Sequence, residues 1–187
     1  MRIIGGTRRG LTLAEVGQGD MAAHLRPTTD RVRESIFNLL VNGGYGDPIT
    51  GARVLDLFAG TGALGFEALS RGAARVTFID DGVKARALIR QNIDKMRAMG
   101  VCDLYRRDAT RLGPNRGAPY GLVFLDPPYG QGLGEVALAS ALAGDWLVPG
   151  ALVVWEDSGA PELPAGFTQL DQRRYGDTVV TLLEAPQ

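Results

Sequence analysis

Phe124 to Gly130 reads FLDPPYG, an apolar run that ends in an acid, two prolines and an aromatic residue. Prolines lack the N–H that a strand ladder needs, so the run must stop there, and two in succession stiffen the turn that follows. The residue types suit one problem in nucleophilic chemistry. An exocyclic amine on a planar ring is a poor nucleophile because its lone pair is delocalised; acceptors aimed at its two hydrogens draw it toward tetrahedral geometry. Asp126 can supply one acceptor and the Pro127 carbonyl the other, with Pro128 holding the turn rigid. Tyr129 offers a flat face for a base, a contact worth roughly 1–3 kcal/mol. Ending an edge strand is the plainer use of such a tract.

A second constellation precedes it. In VLDLFAGTGALGFEAL the glycines Gly60, Gly62 and Gly65 form G-x-G-x-x-G between a strand-like and a helix-like run, a pattern that lets backbone N–H groups approach a ligand. The pattern alone fits a dinucleotide as well as other ligands. Asp56 at the strand end narrows it, because a carboxylate there repels a pyrophosphate and favours a ligand carrying an ammonium and a sulfonium, as S-adenosyl-L-methionine does. Phe58 lies in the same turn and is expected to contact that ligand. Asp80, twenty residues after Gly60, directly follows the apolar run VTFI and is placed to accept from ribose hydroxyls; Asp81 competes for the role. Asp108 after CDLYRR can accept from an adenine amine while the Ala109 N–H donates to the ring.

The elements that must carry these residues alternate. RVLDLF, ALGFEALSRG, RVTFID, KARALIRQNIDKMRAMG, CDLYRRD, GLVFLD, a helix near 134–143 and ALVVWED read as strand and helix in turn, which predicts a parallel sheet covered on both faces. FTQLDQRRYGDTVVTLLEA reads as two strands joined at Tyr175-Gly176-Asp177, an antiparallel hairpin at one edge. Before a break at about Gly43 to Gly51, MRIIGGTRRGLTLAEV reads as short extended pieces around a glycine turn. TTDRVRESIFNLL reads as a helix capped by Thr28 or Thr29, with Val32, Ile36, Leu39 and Leu40 on one face. The expected fold is α/β: a doubly wound, Rossmann-like, mostly parallel seven-stranded sheet with a C-terminal antiparallel hairpin and a small N-terminal β-hairpin plus helix.

With 187 residues, 45% of them hydrophobic, the chain suits one compact domain. A formal net charge of −1 rules out a global positive field, so a nucleic-acid partner must meet a local patch. Cys102 is the lone cysteine, which excludes an intrachain disulfide, and its neighbour Val101 suggests a buried thiol. The N-terminus lacks the apolar run of a signal peptide and no segment reaches membrane-spanning length, so a soluble cytoplasmic protein is expected. No His/Cys/Asp cluster has metal-ligand spacing, and His24, the one histidine, has no evident partner.

VLDLFAGTGALGFEALSRGA, FIDD and LDPPYG together resemble S-adenosylmethionine-dependent amino-methyltransferases. MRIIGGTRRGLTL, LRPTTDRVRESIFNLL and YGDT resemble more narrowly the RsmD family of small-subunit ribosomal RNA guanine-N2 methyltransferases, over nearly the whole chain. That resemblance implies cofactor contacts around Asp56, Gly60, Gly62, Asp80, Asp108 and Ala109, with Asp126, Pro127 and Tyr129 at the target base. Many relatives carry Glu where Asp80 stands, so the choice between Asp80 and Asp81 stays open. Division into an RNA-contacting extension (1–46) and a methyltransferase domain (47–187) follows. In the extension Arg2, Arg8, Arg9, Arg26, Arg31 and Arg33 form a local basic excess that can follow phosphates, and Thr28 begins a helix whose N-terminus could meet the cofactor carboxylate. The expected partner is small-subunit rRNA, free or within an assembling or assembled 30S particle. Three classes remain distinct: a methyltransferase, acting on guanine N2 or, as the nearest rival, on adenine N6 or cytosine N4; a NAD-dependent oxidoreductase; and a non-catalytic RNA-binding factor.

Overall fold

The computed structural model describes residues 1–15 and 29–187. The expectations at His24, Arg26 and Thr28 fall outside the described residues.

Apolar runs too short for helices form the strands β1 (Arg53–Leu57), β2 (Arg75–Ile79), β3 (Cys102–Tyr105), β4 (Tyr120–Leu125) and β5 (Leu147–Asp157). They are followed by β6 (Thr168–Tyr175) and β7 (Thr178–Glu184). The helices are α1 (Asp30–Asn42), α2 (Ala63–Ser70), α3 (Val83–Met96) and α4 (Leu133–Ala143). The seven strands run in the order β3-β2-β1-β4-β5-β7-β6. The first five pair in parallel, and β7 lies antiparallel between β5 and β6. This is the expected doubly wound sheet with its C-terminal hairpin, closed by the two-residue turn Gly176-Asp177 with Gly176 at φ 62°.

The strands are apolar on both sides because both sides are covered, and the two-residue period sorts their side chains into two cores. Val54, Val76, Phe78, Leu122, Phe124, Leu152 and Val154 join Ile36, Phe37 and Leu40 of α1 and residues of α2 and α3 in one. Leu55, Leu57, Val123, Leu125, Val153 and Trp155 join Ala137, Leu138 and Ala141 of α4 in the other. Continuing the first row by one more step of two gives Asp56, Asp80, Asp126 and Glu156. Four carboxyl groups thus end four adjacent strands on one face of the sheet.

Thr29, of the two threonines considered, caps α1, its Oγ1 accepting from the Val32 N–H at 3.3 Å. The expected N-terminal hairpin is reduced to a single bridge, Arg2 to Thr12, around a tight turn at Gly6–Arg8. Across the bridge the Ile3 N–H donates to the Leu11 carbonyl at 2.9 Å and the Leu13 N–H to the Met1 carbonyl at 3.1 Å, but the pairing extends no further because the Ile4, Gly5 and Arg8 N–H groups bond side chains of α2. Glu67 accepts from the Ile4 and Gly5 N–H groups, both at 2.8 Å. Ser70 Oγ donates to the Gly5 carbonyl at 2.6 Å and accepts from the Arg8 N–H at 2.9 Å. Ile3 and Leu13 of the arm and Phe37 of α1, which lies 5.6 Å centroid to centroid from Phe124, are all in the first core.

Candidate active site

Strand order reverses between β1 and β4, and residues just beyond their carboxyl ends surround the crevice that such a reversal opens. Asp56 lies beneath the loop that leaves β1. It is 2% exposed, and its Oδ2 accepts from the Gly65 N–H at 3.0 Å, inside the first turn of α2. Burial, reinforced by the Asp80 charge and opposed by that N–H, pushes its carboxyl well above the usual carboxylate range. Through that bond Asp56 braces the glycine loop from below.

The loop itself is tightly specified. Phe58 sits at φ 55°, a conformation that a bulky side chain adopts only under constraint. Gly62 caps α2 at φ 78°, and a Cβ there would come within 2.6 Å of Phe66. Gly65 has no positive φ; a Cβ would meet Phe78 at 2.5 Å and Val76 at 2.8 Å. The spacing therefore serves turn geometry and helix-on-sheet packing at these two glycines, whereas Gly60 (φ 56°) presents its N–H to Asp80 Oδ2 at 2.9 Å.

Asp80 is tied into the glycine loop as expected of a strand-tip acid. Its Oδ1 also accepts from the Gly82 N–H at 2.8 Å. Burial raises its pKa, partly offset by the Gly60 and Gly82 N–H groups. Asp81 is exposed, and its carbonyl is bonded by the Arg86 guanidinium. Asp108 caps the short turn Ala109–Arg111, its Oδ1 accepting from the Thr110 hydroxyl at 2.6 Å and the Thr110 N–H at 2.8 Å, which hold its carboxyl below the usual range. Ala109 is buried beside it.

At the end of β4 the ladder persists one residue, the Asp126 N–H donating to the Leu57 carbonyl at 3.4 Å. The tetrad thus begins beside the end of β1. Pro127 is buried and Pro128 exposed; Tyr129 is half-buried, its hydroxyl donating to Glu156 Oε1 at 3.3 Å. The donor set fits S-adenosylmethionine better than a dinucleotide: acids, not cations, end the strands around the glycine loop, and they suit hydroxyls and a positive ligand rather than a pyrophosphate.

Arg2, Arg8, Arg9 and Arg31 are exposed, as a phosphate-following patch requires. Arg33 is not part of it. It is 0% exposed, and its NH2 donates to the Arg2 carbonyl and, at 2.8 Å, to Asp30 Oδ1. Burial lowers its pKa, opposed by Asp30 and Glu67. The sequence held the signal: Arg33 precedes Ile36, Phe37 and Leu40 at three, four and seven residues, which places it on the apolar face of α1.

Three functional supports escape the sequence reading. Glu67 is fully buried and besides the arm accepts from Arg71 Nε at 2.7 Å. Asn92, also fully buried, accepts from the Ala14 N–H at 2.6 Å and donates to the carbonyls of Ala14 and Thr61 at 3.1 and 3.0 Å, joining the arm, the glycine loop and α3. Glu156 is the third, an acid at a strand end like the three that were recognised. Cys102 is buried as expected, and burial pushes its thiol up to about 12. Among the described residues no group of side chains could hold a metal ion, and no helix is long and apolar enough to cross a membrane.

The model of a family described as Conserved hypothetical protein 95 matches residues 1–184. Ribosomal RNA small subunit methyltransferase D of Escherichia coli K12 is 37% identical over 188 residues, 98% of this chain and 89% of the relative. YlbH of Bacillus subtilis is 36% identical, covering 97% of each. The solved structure of Escherichia coli yhhF superposes with a TM-score of 0.81 at 35% identity, covering all of this chain and 98% of the other. Matched end to end by that family model, and more than a third identical to curated members over nearly its whole length, the chain belongs to the Conserved hypothetical protein 95 family, that of the RsmD methyltransferases.

Proposed function

We propose that this protein is an enzyme transferring a methyl group from S-adenosyl-L-methionine to the exocyclic N2 of a guanine in small-subunit ribosomal RNA. The observation that carries the reading is the position of Asp126-Pro127-Pro128-Tyr129, beside the glycine loop where the strand order reverses. The names of the curated relatives support the RNA class. Bound at the glycine loop, S-adenosyl-L-methionine would supply a sulfonium methyl as the electrophile and leave as S-adenosylhomocysteine.

The chain's own residues do the placing. Asp56, Phe58, Gly60, Gly62, Asp80, Asp108 and Ala109 hold the cofactor, Asp56 also bracing their loop from below. Asp126 and the Pro127 carbonyl accept from the amine's hydrogens, so that its lone pair is directed at the methyl, and Asp126 is the acceptor for the proton that the amine sheds. Tyr129 carries the base. Placement supplies most of the rate, since an aligned transfer needs geometry more than acid–base strength. A guanine within folded RNA has to be splayed out to reach this crevice. The first 46 residues act as the RNA-contacting extension on the methyltransferase domain 47–187, with the exposed arginines on phosphates.

The test is tritium transfer from labelled cofactor to naked small-subunit RNA, assembled subunits and duplex DNA, followed by digestion to nucleosides. N2-methylguanosine from an RNA substrate is expected. N6-methyladenine or N4-methylcytosine would overturn the base assignment, and absence of transfer to any RNA form would overturn the substrate class.

A further inference from the structure

An amine-holding tetrad is indifferent to the base, because guanine, adenine and cytosine all present a planar amine. They differ at the ring position beside it. Guanine N2 stands next to N1–H, a donor, whereas adenine N6 and cytosine N4 stand next to a ring nitrogen with a lone pair. A second anionic acceptor beside the first therefore favours guanine and repels the other two.

Glu156 stands at that place. Leu125 of β4 pairs with Trp155 of β5, so the next residues, Asp126 and Glu156, are neighbours at the carboxyl edge of the sheet. Both continue the row of Phe124 and Val154, so they share a face. The Tyr129 hydroxyl on Glu156 Oε1 ties this carboxylate to the wall on which the base is to lie. Glu156 is 4% exposed and paired in the ladder with Val180 of β7. A carboxylate at such a depth costs stability that an apolar residue would not, and a role in selecting the base accounts for keeping it.

We propose that Glu156 is the specificity-determining residue: its carboxylate accepts from N1–H of the target guanine while Asp126 and the Pro127 carbonyl accept from N2. The proposal rests on the guanine-N2 reading above. Once the modified guanine is located, two RNA fragments are compared, one with guanine and one with 2-aminopurine at that single position. The analogue keeps the N2 amine but carries a lone pair at N1. Wild-type enzyme is expected to prefer guanine by about 10- to 100-fold in kcat/KM. Glu156→Gln can donate its amide N–H to the lone pair and is expected to lose or invert that preference. Because the analogue also lacks O6, dependence of the ratio on residue 156 is the deciding readout. Tyr129→Phe, whatever its effect on rate, is expected to keep the wild-type ratio; the same change of ratio in both variants would mean that Glu156 merely positions Tyr129, and would overturn the proposal. A wild-type enzyme that treats the two bases alike overturns it with no variant needed, as does a Glu156→Gln enzyme with the wild-type ratio. Absence of methyl on guanine N2 in the unsubstituted fragment would instead remove the reading on which it rests.

Discussion

Asp56 and Asp126 both end strands beside the crevice, yet burial gives them different work. At Asp56 the carboxyl is raised chiefly by burial, so the folded protein holds a proton there more firmly than the unfolded chain does. Stability from this group is therefore lost as pH rises from the ordinary Asp range through the raised folded value. Asp56→Asn retains an oxygen that can accept from the Gly65 N–H but no longer titrates. We expect urea unfolding of the wild type at several pH values to show a decline toward alkaline pH that is shallower in the variant; equal slopes would remove the buried charge as its cause. Asp126 is half-buried, with its backbone N–H on Leu57 independent of its side chain. Asp126→Ala is accordingly expected to lower methyl transfer by about 100-fold or more while S-adenosylhomocysteine binding, measured by calorimetry, stays nearly unchanged. Loss of both together would move Asp126 into the cofactor site.

Among the elements, α2 does the most joining. Its N-terminal turn is held by Asp56 and its Gly65 lies against Phe78, while Glu67 and Ser70 on the same helix grip the arm. Glu67→Ala would strip two backbone N–H groups and the Arg71 guanidinium of a fully buried acceptor, at a cost of about 3 kcal/mol. Denaturant unfolding should register that cost, and hydrogen exchange should speed up at the Ile4 and Gly5 amides. Unchanged protection at those two amides would show that the arm is held by its apolar contacts, Ile3 and Leu13, instead. If the arginines of the arm follow RNA phosphates, this anchoring is what sets their distance from the crevice.

For the whole molecule, the arm and α1 share a core with the sheet, whereas Trp146 and Trp155 lie in the core on the opposite face. Both cores are built on the same strands, so tryptophan fluorescence and far-UV circular dichroism are expected to report one coincident unfolding transition; separated midpoints would mean that the first 46 residues unfold independently of the domain they extend. Much of this architecture was legible in the chain, because strand and helix periods are local. VLDLF, VTFID and GLVFLD announced buried strands with acids at their ends, and FLDPPYG announced its own break. Arg33 was misread by residue type, though the phase of α1 assigned it inward. Other features lay beyond any local pattern. Glu67 meets Ile4 from 63 residues away and Asn92 meets Ala14 from 78, partnerships that no spacing encodes. The pairing of Leu125 with Trp155, which sets Glu156 beside Asp126, exists only through strand register. The sequence by itself determined which residues could do chemistry, because type and local period decide side-chain identity and face. Tertiary structure alone decided which acid braces the loop and which two stand together at the carboxyl edge of the sheet, because burial and register are properties of strands brought side by side.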